Sequence, residues 1–132
     1  MRLLVVDDEP LIRGILIGIV DGLAECDQAE NGQEAFHKYE TALATGQPYD
    51  VIFIDLAMPV MNGRNLLRAI RDREMNLSIP DEDRIKAVVI SAENSPRQVA
   101  GTFFEDGCND YIIKPFKIKD VLSILSKYRI VS

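Results

Sequence analysis

The sequence predicts one α/β domain, a parallel five-stranded sheet sandwiched between five helices, and three observations carry that expectation. Short apolar runs alternate with amphipathic stretches five times along the chain. The stretches between them repeat apolar residues at helical spacing. Polar or charged residues then follow the apolar runs abruptly, as at the ends of buried strands. Repeated β/α units imply right-handed crossovers and a parallel sheet covered on both faces.

Leu3-Leu4-Val5-Val6 reads as the first buried strand. Pro10 suits the first turn of the helix after it, where a missing N–H costs nothing. Leu11, Ile12, Ile15, Leu16, Ile19 and Val20 recur on that helix, which Gly14 and Gly18 weaken. A second strand over Glu25–Ala29 has few apolar residues and reads as a sheet edge. Asn31-Gly32 opens a helix with Ala35, Phe36, Tyr39 and Leu43 on its buried side, stopped near Gly46 and Pro48.

Val51-Ile52-Phe53-Ile54 is the most uniformly apolar run, as expected of a strand with helices on both faces. A loop through Met58-Pro59 leads to a helix bearing Leu66, Leu67 and Ile70. Glu74–Arg84 is polar and contains Pro80, and it reads as a long exposed connection. Ile85–Ile90 is the fourth strand. Pro96 starts a helix to about Glu105, and Gly107 ends it. Asp110–Ile113 is the fifth strand, and Phe116–Tyr128 is a closing helix with Val121, Leu122 and Leu125.

The chain has 132 residues, 47% hydrophobic and 27% charged, a balance usual for a globular domain. Its apolar runs fall far short of a membrane span, and acids interrupt the first of them too early for a secretory signal. With 21 acidic against 15 basic residues the net charge is −6, which repels a nucleic-acid backbone. Cys26 and Cys108 have neither metal-ligand nor redox-pair spacing and suit a reducing cytoplasm. His37 lies mid-helix and reads as a solvated residue; Met58 and Met61 read as loop packing.

Ligands of open α/β sheets bind beyond the carboxyl ends of the strands. Asp7 and Asp8 follow the first strand, Asp55 the third, Ser91 the fourth and Lys114 the fifth. Three clustered carboxylates repel, each pair by on the order of 4 kcal/mol at about 4 Å and an effective dielectric of about 20. Lys114 offsets part of this, and a divalent cation offsets more. Hard oxygen ligands favour magnesium.

These residues resemble the receiver domain of two-component response regulators. The likeness runs from Leu3 to about Tyr128. It rests on Val5-Val6-Asp7-Asp8-Glu9-Pro10, on Asp50 through Asp55-Leu56-Ala57-Met58-Pro59-Val60-Met61-Asn62-Gly63, on Ser91-Ala92 and on Tyr111-Ile112-Ile113-Lys114-Pro115-Phe116. The resemblance implies the flavodoxin-like doubly wound strand order 2-1-3-4-5, for which a chemotaxis receiver is the standard illustration. It implies that Asp55 accepts a phosphoryl group, that Lys114 and Ser91 contact it, and that Asp7, Asp8, Asp55 and the Ala57 backbone carbonyl hold Mg2+. It also implies a cis peptide before Pro115, and a switch in which Ser91 and Tyr111 alter a face built from the fourth helix, fifth strand and fifth helix.

The implied partners are a sensor histidine kinase or histidine phosphotransfer protein, a downstream protein or output domain, and a second copy through that same face. Direct contact with nucleic acid or membrane is not expected. Such a protein is no turnover enzyme; it catalyses only its own phosphorylation and dephosphorylation. An aspartyl-phosphate hydrolase would place two Asp residues one apart after the first strand, whereas Asp7 and Asp8 are adjacent. An unphosphorylated binding module would have lost an acid or the lysine. The expected unit is one domain over residues 1–132, either a stand-alone regulator or the amino-terminal receiver of a longer protein.

Overall fold

The structure, a computed structural model, describes residues 1–128. Five strands, β1 (Arg2–Val6), β2 (Glu25–Ala29), β3 (Val51–Asp55), β4 (Lys86–Ser91) and β5 (Asp110–Ile113), form one parallel sheet ordered β2-β1-β3-β4-β5. The helices between them are α1 (Pro10–Val20), α2 (Gly32–Ala44), α3 (Gly63–Asn76), α4 (Pro96–Phe104) and α5 (Ile118–Lys127). This is the flavodoxin-like arrangement that the resemblance implies. The final four residues of the expected 1–132 domain lie outside the described residues.

The pleat divides the interior in two. Leu4, Val6, Ile52, Ile54, Ala87 and Val89 pack with α2 and α3 through Ala35, Tyr39, Leu66, Leu67 and Ile70. Leu3, Val5, Val51, Phe53, Val88, Ile90 and Ile112 pack with α1 and α5 through Leu16, Val20, Val121 and Leu125. Strands buried on both faces must be apolar at every position, which is why β1, β3 and β4 read as continuous runs. β2 is the polar edge, and Tyr49 and Arg2 both bond the carboxylate of Asp27 on it.

The expected exposed connection needs correction at its start. α3 continues to Asn76, and Glu74 on it is buried, 1% exposed. Its carboxylate accepts the Ile85 N–H at 2.8 Å and pairs with Arg71 at 2.6 Å, so it caps the entry to β4. The rest of the connection is exposed and carries a short 3-10 turn at Asp81–Asp83. α5 begins at Ile118 rather than Phe116, and Leu122 on it faces outward. His37 is exposed, and Met58 and Met61 pack in the loop as expected.

Candidate functional site

The site is the polar end of the α1/α5 core. Side chains alternate faces along a strand. Leu3 and Val5 occupy that face of β1, and Asp7 is next in the same column. Val51 and Phe53 lead to Asp55, and Ile112 of β5 leads to Lys114. The register pairs Val5 with Phe53, Asp55 with Ile90, and Ile90 with Ile112. β1 and β3 thus end their apolar columns in an acid at the same level, and β5 ends its column in Lys114, two residues beyond the level of Asp55.

Asp7, Asp8 and Asp55 each offer a carboxylate oxygen, and all three atoms lie within 4.8 Å of one another. Asp7 and Asp55 are buried, whereas Asp8 is exposed. The Lys114 ammonium stands 3.3 Å from Asp7 Oδ2 and 3.7 Å from Asp55 Oδ1. Burial, with the charge of Asp7 added, pushes the Asp55 carboxyl up to about 6, against the opposing pull of Lys114. Burial lowers Lys114, but Asp55 and Asp7 outweigh it and hold the ammonium above its ordinary value. One lysine does not balance three acids, so the cluster fits a hard divalent cation.

Local turns hold these groups. The Glu9 N–H donates to Asp7 Oδ1 at 2.9 Å, and the Ala57 N–H donates to Asp55 Oδ1 at 3.3 Å. Ser91, buried at the end of β4, accepts the Glu93 N–H on Oγ at 3.1 Å. The Tyr111 hydroxyl donates to the Glu93 carbonyl at 2.8 Å, so the loop after β4 joins both expected switch residues. The Lys114–Pro115 peptide is cis.

Sequence reasoning passed over the supports of the loop after β3. A Cβ on Gly63 would lie 2.3 Å from the Asp55 carbonyl oxygen, and one on Gly32 would lie 2.4 Å from that of Met61. The Gly63 N–H donates to Leu56 O, and the Gly32 N–H to Met61 O. Between them Val60 takes φ 69°, inside a three-residue turn closed by Met61 N–H to Pro59 O at 2.8 Å. The Asn-Gly steps at 31–32 and 62–63 were the available signal for both glycines. Arg13, which bonds the Asp7 carbonyl, and the pairing of Arg64 and Arg68 with the buried Asp106 gave none.

Residues 3–126 match the family described as the response regulator receiver domain. The chain belongs to that family. This receiver is 33% identical over 128 residues to hybrid signal transduction histidine kinase L of Dictyostelium discoideum, covering 96% of the chain but 7% of that protein. It is 32% identical to the rice two-component response regulator ORR41, covering 98% of the chain and 95% of that protein. The receiver therefore spans a small part of some relatives and almost all of others. The CheX–CheY–BeF3–Mg complex of Borrelia burgdorferi contains a chain with a TM-score of 0.80 and 26% identity, with 97% of this chain and 89% of that one covered. Among the described residues, no helix is long and apolar enough to cross a membrane.

Proposed function

We propose that this receiver is a phosphorylation switch in which Asp55 takes a phosphoryl group from a phosphohistidine of a sensor kinase or histidine phosphotransfer protein. Three carboxylates facing one lysine at the carboxyl edge of the sheet carry the reading. An Asp55 carboxylate oxygen attacks phosphorus; a P–O bond forms while the P–N bond breaks, and the imidazole leaves with the electron pair. Lys114, already between Asp7 and Asp55, neutralises charge on the group in transit. Ser91 donates its hydroxyl to a phosphoryl oxygen, a proton that its bond to Glu93 N–H leaves free.

Asp7, Asp8, Asp55 and the Ala57 carbonyl are the residues that would hold Mg2+. Bound there, the ion supplies charge neutralisation to the phosphoryl oxygens. The chain turns over only its own acyl phosphate, and Ala57, two residues past Asp55, offers no side chain to orient a hydrolytic water. The same reading makes residues 1–132 one domain working in the cytoplasm.

Output would pass through Ser91, Glu93 and Tyr111 to the face of α4, β5 and α5, where a two-state element is biased by a local charge event. Phe103 of α4 and Ile113 of β5 are exposed apolar residues on that face, 37% and 45% exposed, and they suit a downstream protein, an output domain or a second copy. The test is acetyl phosphate with magnesium, followed by intact-mass measurement. One added phosphoryl group is expected on the wild type and none on Asp55→Asn. Equal labelling of the two would overturn the assignment.

A further inference from the structure

Asp8 is an exposed carboxylate, and no hydrogen bond to it forms among the described residues. Its place in the acid cluster therefore depends on the backbone that carries it. That backbone is the peptide joining Asp7 to Asp8, whose plane is set by the Asp7 carbonyl. The Asp7 N–H still belongs to the sheet, donating to Ala29 O at 3.2 Å. The carbonyl has left it. In α1 the bond from Arg13 N–H reaches only Glu9 O, at 3.1 Å, so the helix ladder begins too late to use Asp7 O.

Arg13 closes that gap with its side chain. Its NH1 donates to the Asp7 carbonyl oxygen at 2.6 Å, and its Nε donates to Gln28 Oε1 on β2 at 3.0 Å. The guanidinium is a planar fork, and two acceptors on separate elements hold its plane. β2 thus braces Arg13, and Arg13 braces the peptide from which Asp8 projects.

We infer that Arg13 is a positioning residue that prepares Asp8 for a divalent cation by anchoring the Asp7 carbonyl, with Gln28 as its outer support. The inference rests on the cation reading of the acid cluster. Partners of metal ligands commonly alter affinity by about 10–100-fold when removed. Asp7 keeps its own bonds to Glu9 N–H and Lys114, so the lower end of that range is expected here.

The charge of Arg13 makes the sign of the effect diagnostic. A guanidinium beside a cation site repels the cation. Removing it should tighten Mg2+ binding if electrostatics governs, and loosen it if positioning governs. Mg2+ alone is titrated calorimetrically into the full chain at constant ionic strength. Arg13→Met is expected to raise the Kd about tenfold. Arg13→Lys keeps the charge but cannot span both acceptors, and it should fall between Met and wild type. Gln28→Ala, remote from the acids, should raise the Kd about two- to threefold through Arg13 alone, and it should add almost nothing in the Arg13→Met background.

Melting in EDTA checks that each variant is folded. If Arg13→Met fails to fold, the single Gln28→Ala and Arg13→Lys variants carry the test. Unchanged or tighter binding in the folded Arg13 variants overturns the inference while leaving the cation reading intact. No Mg2+ binding by the wild type overturns the cation reading, and this inference with it.

Discussion

Asp55 is held at odds with its own charge. Its pKa rises from 3.8 to about 6 on folding, chiefly through burial and then through Asp7. The folded chain therefore binds this proton more readily than the unfolded chain. Its contribution destabilises above about pH 6 and disappears as the pH falls below the unfolded value near 4. After allowance for solvent screening, the effect is about 1–2 kcal/mol at pH 7.5. Metal-free Asp55→Asn should exceed the wild type by that amount at pH 7.5, with the difference closing by about pH 4. Urea unfolding in EDTA at several pH values measures it; a pH-independent difference would contradict the account. The same tension makes the site receptive to a cation, or to an incoming group that bonds covalently to the carboxylate oxygen.

At the scale of elements, α3 does more than cover the sheet. From Arg64 to Glu74 one of its sides carries Arg64, Arg68, Arg71 and Glu74, spaced to lie along a single helical stripe. Arg64 and Arg68 grip Asp106 at 2.7 and 2.5 Å, and Arg64 also donates to Thr102 at 2.8 Å. Arg71 reaches the Gly107 and Ile85 carbonyls and Asn109. These bonds tie the end of α4 and the entry to β4 onto one helix. Glu74→Ala would leave the buried Ile85 N–H unsatisfied, and it should cost about 2–3 kcal/mol in chemical denaturation. A loss below about 0.5 kcal/mol, the level of an ordinary surface change, would show that the cap is dispensable.

This stripe also marks the limit of what the sequence made legible. Strands were readable because burial on both faces forces continuous apolar letters, and Asp7, Asp8, Asp55, Ser91 and Lys114 were readable because they break those runs at strand ends. Glu74 was not. A buried, capped carboxylate is written with the same letter as a solvated one, and its neighbours Arg73 and Met75 are both exposed. Arg13 escaped for a similar reason: its partner is a backbone carbonyl, which every residue has.

For the whole molecule, cation binding would be linked to folding, because the acids converge only when β1 and β3 are paired. At ten times its Kd, Mg2+ should stabilise the chain by about 1.4 kcal/mol, equivalent to roughly 3–5 °C in Tm for a domain of this size. Differential scanning fluorimetry with and without Mg2+ tests this. Asp8→Ala should abolish the shift, and an equal shift in that variant would refute the link.

The pleat that sorts the interior into two cores also sorts the charges, and this makes the strands intolerant in a particular way. Asp7 and Asp55 share one parity with the apolar residues two and four places before them, and Lys114 shares it with Ile112. Insert or delete a single residue within β3, and the β3 side chains beyond it swap cores while Asp55 turns to the opposite side of the sheet. In such length variants structure and chemistry would fail together. The exposed connection around Asp81–Asp83 obeys no such counting, so changes of length should accumulate there and be refused in the strands.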